Sequence, residues 1–165
     1  MKAWLLVLAT VFFPWLALKA QEPDAAKCTV HVLADDRFEM FVNGKPVWKA
    51  ASWDKAVSQD VMIQAGDVVV FAVTDDQGGK GGALSVVIVR GFAVAATTRN
   101  FLYTPVQSPE LLSAKKVNGL KAPEFSPLPK IRSFGLGKER EPAKAWSKNV
   151  DQDHATIYFR WVADK

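Results

Sequence analysis

LADDRFEMFVNGKPVWKAASWDKAVSQDVMIQAGDVVVFAVTDDQGGKGGALSVVIV, residues Leu33 to Val89, is a run of short apolar segments cut by Asp, Asn and Gly turns. Such spacing predicts consecutive antiparallel strands. Asn43-Gly44 is the sharpest signal in it, because both positions of a tight hairpin turn need positive φ and these two residue types tolerate it. Phe38–Val42 is therefore read as one strand and Lys45–Trp48 as the start of its return. Val61 and Ile63 alternate with Met62 and Gln64 before an Ala65-Gly66-Asp67 turn. Val68–Val73 is apolar throughout, which predicts a strand buried on both faces. Ala83–Val89 has the same character.

Upstream, Cys28, Val30 and Val32 alternate with Thr29 and His31, adding a first strand with one apolar face. Downstream, Phe92–Ala96 and Thr97–Tyr103 provide one or two more strands. Prolines 105, 109, 123, 127 and 129 then mark an irregular insertion at about 104–130, with one helical turn around Glu110–Lys116. Ile157, Phe159 and Trp161 alternate with Thr156, Tyr158 and Arg160 in a terminal strand, expected to pair beside the first strand and close the sheet. The sum is an all-β chain folded as an antiparallel β-sandwich.

The 165-residue chain favours one domain, and 49% hydrophobic content is enough for a core. Residues 1–20 read as a secretory signal peptide: Lys2, an apolar run of about 16 residues, and Ala20 before a polar stretch. An uncleaved anchor is the alternative. The domain is then 21–165, and the location secreted or extracellular, periplasmic in a bacterium. Loss of Lys2 and Lys19 leaves 19 basic against 17 acidic residues, a charge near +2. That balance argues against nucleic acid as a partner. Cys28 is single, so it is either a buried small hydrophobe or a link to a second chain. His31 lacks a second His or Cys at ligand spacing and reads as a strand residue. Gly78-Gly79-Lys80-Gly81-Gly82 is not followed by Lys-Ser/Thr or a helix pattern, which excludes a phosphate-binding loop.

ADDRFEMFVNGKPV, Trp53, the block QAGDVVVFAVTDDQGGKGGALSVVIV and the late HATIYFRW together resemble the galactose-binding-domain-like jelly roll. The resemblance covers residues 28 to 92 and 154 to 162. It implies a jelly-roll winding of the sandwich and a carbohydrate-binding or accessory module. It also implies a tryptophan packed on the core at position 53, and a structural calcium is frequent in such folds.

A sugar site needs flat aromatic faces and planar polar groups on converging loops. Trp48, Trp53 and Tyr103 are the aromatic candidates, and Asn43 and Arg90 the polar ones. Asp35, Asp36, Asp75 and Asp76 offer hard oxygen ligands for calcium, although Asp in a turn also caps its own backbone. No catalytic triad order, zinc spacing or nucleotide loop is present, so the expected role is non-catalytic. It is carbohydrate binding at a cell surface or in extracellular matrix or, in a different class, recognition of an extracellular protein with residues 104–130 as the contact arm.

Overall fold

The computed structural model describes residues 25–76, 83–126, 134, 136, 142–146 and 156–164. The expected signal peptide and the glycine-rich loop lie outside these residues. The strands are β1 (Ala26–Ala34), β2 (Arg37–Val42), β3 (Lys45–Ala51), β4 (Val57–Ile63), β5 (Val68–Thr74), β6 (Ala83–Arg90) and β7 (Ala93–Thr97). They continue with β8 (Leu102–Thr104), β9 (Glu124–Ser126), β10 (Lys144–Trp146) and β11 (Thr156–Val162), and a short helix α1 (Pro109–Ser113) follows β8.

The strands form two antiparallel sheets, as the alternation requires. The first runs β4-β1-β6-β10-β9, and β7 shares the outer side of β6 with β10; the second runs β3-β2-β5-β11-β8. Val30, Val32, Val86 and Ile88 from the first sheet meet Phe38, Met40, Phe71, Phe159 and Trp161 from the second in one buried cluster. Each such side chain contributes about 1.5–3 kcal/mol by leaving water, which makes this layer the main stabilising term. Cys28 belongs to it and is fully buried, as the strand pattern suggested.

Asn43 and Gly44 have φ of 50° and 79°, and they join β2 to β3 through a two-residue turn. Pairing slips between Met40 and Phe41, so that Met40 faces Trp48 and Phe41 faces Pro46. A bulge, a proline and two lysines on β3 suit an edge strand, because they deny a further strand a flat row of donors.

The terminal strand departs from expectation. β11 pairs with β5 and β8 in the second sheet, while β1 is flanked by β4 and β6 in the first. With both sides of β1 taken, the place open to β11 is beside β5, where Phe159 registers with Phe71.

The proline-rich stretch also carries more structure than its composition suggested. Ser108 caps α1 by accepting a hydrogen bond from the Leu111 amide, and Pro109 occupies the first helical position, where its missing N–H costs nothing. Leu111, Leu112, Val117 and Leu120 then pack on Val68, Val70 and Tyr158, on the outer face of the second sheet. This is why β5 is apolar on both faces: one side meets the core and the other meets α1. No helix of the described residues is long and apolar enough to cross a membrane.

Candidate functional site

Outward-facing positions of the second sheet alternate with core positions: Arg37, Glu39 and Phe41 on β2, Lys49 on β3, Ala72 and Thr74 on β5, Thr156 and Tyr158 on β11. α1 and the chain after it cover one half of this face. Over the other half lies an open groove of about 590 Å³, lined by these residues together with Phe38 and Gln107. Its volume falls in the range of small-ligand sites.

The groove mixes hydrogen-bonding types at close quarters. Thr74 and Thr156, directly paired across β5 and β11, have their hydroxyls 2.9 Å apart. Burial, and then the Glu39 charge, push the Tyr158 phenol above its ordinary pKa of 10.0, so it stays neutral and can both donate and accept. Glu39 supplies an acceptor, Lys49 and Arg37 supply donors, and Gln107 supplies both. Phe41 and the ring of Tyr158 add apolar surface. The arrangement can grip a polyhydroxylated molecule.

Arg160, next along the outer face of β11, works on the covering half instead. Its Nε donates to the Leu111 carbonyl at 3.1 Å, and Nη2 donates to the Ala114 carbonyl. Both acceptors belong to the end of α1, so this buried guanidinium clamps the helix that walls the groove. Burial lowers its pKa from the ordinary value.

The residues singled out in the sequence fall elsewhere. Tyr103 is 1% exposed, with its ring 6.2 Å from that of Phe159, inside the sandwich and out of reach of a surface ligand. Trp48 is half-buried and meets Phe38 edge to face at 4.7 Å. Trp53, the position at which the jelly-roll resemblance implies a core tryptophan, is 49% exposed. Trp48 on β3 does that packing instead, because the bulge beside it turns its ring toward Phe38. Asn43 is used structurally: Nδ2 donates to Asp67 at 2.7 Å, and Oδ1 accepts from the Val68 amide at 2.9 Å. Arg90 lies at the end of the sandwich, beside a second, smaller cavity.

The aspartates converge more than their separation in sequence implied. Asp36 takes positive φ of 57° at the β1–β2 corner, and its Oδ2 accepts from the Asp76 amide at 2.6 Å. Asp76 in turn pairs with Arg37 at 2.9 Å, Asp35 lies 4.0 Å from Lys144, and Asp75 is buried. Backbone amides and cations thus engage these carboxylates. Among the described residues no group of three or more His, Cys, Asp or Glu side chains is placed to hold a metal ion. Arg37 belongs both to this corner and to the groove.

Sequence reasoning missed the groove because its members are ordinary outward strand residues. The usable signal was the outward set Thr156, Tyr158 and Arg160, polar or amphipathic groups opposite the apolar face of a strand buried at the centre of its sheet. No protein-family profile matches the chain, and neither curated proteins nor solved structures provide a match.

Proposed function

We propose that the protein is a non-catalytic, extracellular binding module whose ligand is carbohydrate, held in the groove on the second sheet. The observation that carries this is the groove itself: donors, acceptors and the aromatic residues Phe38, Phe41 and Tyr158 around about 590 Å³ on the outer face of the second sheet. Sugar hydroxyls need paired donors and acceptors, and the apolar face of a pyranose needs a ring. Tyr158, Glu39, Lys49 and Gln107 offer the first, and Phe41 with Tyr158 the second. The resemblance to galactose-binding-like modules and the signal-peptide reading of residues 1–20 support the same function and compartment by analogy.

Recognition of an extracellular protein through residues 104–130 is the competing reading. Much of the described part of that segment is committed to the sheet through Leu111 and Leu120, and among its described residues Val106 alone is a large, well-exposed apolar side chain.

Glycan-array binding of the full chain, in calcium and again in chelator, tests the proposal. Selective binding that survives chelation and is lost in Glu39→Gln and Lys49→Ala supports it, since both substitutions leave the core untouched. A blank array with a folded protein overturns it. Binding that depends on Trp53 instead would move the site to the β3–β4 connection.

A further inference from the structure

The smaller cavity, about 270 Å³, opens at the end of the sandwich where β6 turns into β7, and Arg90, Ala93, Val94, Ala95, Trp161 and Asp164 line it. Arg90 follows Leu84, Val86 and Ile88 on the inward side of β6 and registers with the fully buried Cys28 of β1. Its side chain therefore enters the space between the sheets. There its Nε is buried with no hydrogen-bond partner, and Arg90 makes no ion pair among the described residues, Asp164 included.

A buried guanidinium nitrogen without an acceptor is unfavourable, and nearly all buried polar atoms avoid that state. The fold around Arg90 does not explain it. The core beside it is apolar, and a leucine or methionine at position 90 would fill the same inward site without the desolvated donor. An acceptor entering the cavity accounts for it. Guanidinium edges suit carboxylates, because planar donors meet planar acceptors. A simple anion would also face the Asp164 carboxylate, so the lining favours a molecule carrying both signs. Trp161, 5% exposed, adds an indole wall, and indoles attract substituted ammonium groups.

We propose that this cavity binds a small zwitterion of the α-amino-acid or betaine class. The carboxylate accepts from Arg90 Nε–H, and the ammonium lies toward Asp164 and the Trp161 ring. The site is separate from the groove, which lies on the outer face of the second sheet.

The test is a titration of the full chain followed by ¹H–¹⁵N spectra of the Arg90 Nε–H and Trp161 indole N–H signals, with alanine, glycine betaine, acetate and tetramethylammonium as probes. Alanine or glycine betaine should shift both signals saturably, and acetate and tetramethylammonium should each bind about tenfold more weakly, the loss of one charged contact. Arg90→Gln should abolish the shift of the indole signal. Asp164→Asn, at an exposed position, should lower zwitterion affinity about tenfold toward that of acetate, and it carries the test if Arg90→Gln disturbs folding. Acetate binding as tightly as the zwitterions overturns the proposal, as does a folded protein whose two signals respond to no probe. Glu39→Gln and Lys49→Ala should leave these titrations unchanged, so failure here is distinct from failure of glycan binding.

Discussion

Asn43 shows how much one side chain can join. Its φ of 50° forms the hairpin turn, and its amide bridges Asp67 and the Val68 amide, stapling the β2–β3 turn to the β4–β5 turn. Asn43→Gly keeps the permitted φ and loses only the hydrogen bonds, at about 1–2 kcal/mol; Asn43→Ala adds backbone strain of about 1 kcal/mol more. Urea denaturation of both variants should rank them in that order, and equal midpoints would mean the left-handed turn is not the costly part. The two tryptophans separate just as cleanly. Trp48→Ala removes the edge-to-face partner of Phe38 and should cost about 2 kcal/mol, whereas Trp53→Ala should stay within about 0.5 kcal/mol of the parent on the same urea scale. At this scale the sequence was partly legible. The Asn43 turn follows from two adjacent residues, but its bond to Asp67 spans a separation that no local pattern encodes.

Elements follow the same division. β1, β4 and β11 were visible from two-residue alternation, β5 and β6 from continuous apolar runs and β2 from the Asn43-Gly44 turn, all of them local properties, and a helical turn near Glu110 was read as well. Pairing was not, because the place of β11 depends on which strand sides β1, β4, β5 and β6 have already used. The groove was illegible for that reason: it exists only once Arg37, Glu39, Thr74, Thr156 and Tyr158 are brought side by side from three strands. Arg160 ties α1 to the second sheet. Arg160→Gln removes the two-pronged hold on Leu111 and Ala114 and leaves part of their hydrogen bonding unmet, a loss of about 2–3 kcal/mol in urea denaturation. Amide exchange at Leu111 and Ala114 should quicken more than at Phe71, because the helix loosens before the sheet does. Uniform loss of protection would place Arg160 in the general core instead.

For the whole molecule, stability should depend on acid in two stages. Burial holds the His31 imidazole below its ordinary 6.5, against the opposing pull of Asp60. Hydrogen bonds from Lys27 and Thr29 hold Asp60 below its ordinary 3.8. In both cases the unfolded chain takes up the proton at higher pH than the folded chain. Each contribution is therefore complete above the unfolded value and lost as pH falls through the window beneath it. Urea midpoints should fall on going from about pH 7.5 to about pH 5.5, and His31→Gln should flatten that first step while leaving the second, below about pH 4. A parent protein with the same midpoint at both upper pH values would mean that His31 takes up its proton equally in the folded and unfolded chain.

The position of β11 has a consequence in time as well as in space. It is the last of the described strands in sequence order, yet it lies between β5 and β8 in the second sheet, with Phe159 and Trp161 in the shared core. A ribosome must polymerise through Val162 before β5 gains its second neighbour. Until then the growing chain has a half-built sandwich in which β5, the central apolar strand of the second sheet, has β2 beside it and its other edge unpaired.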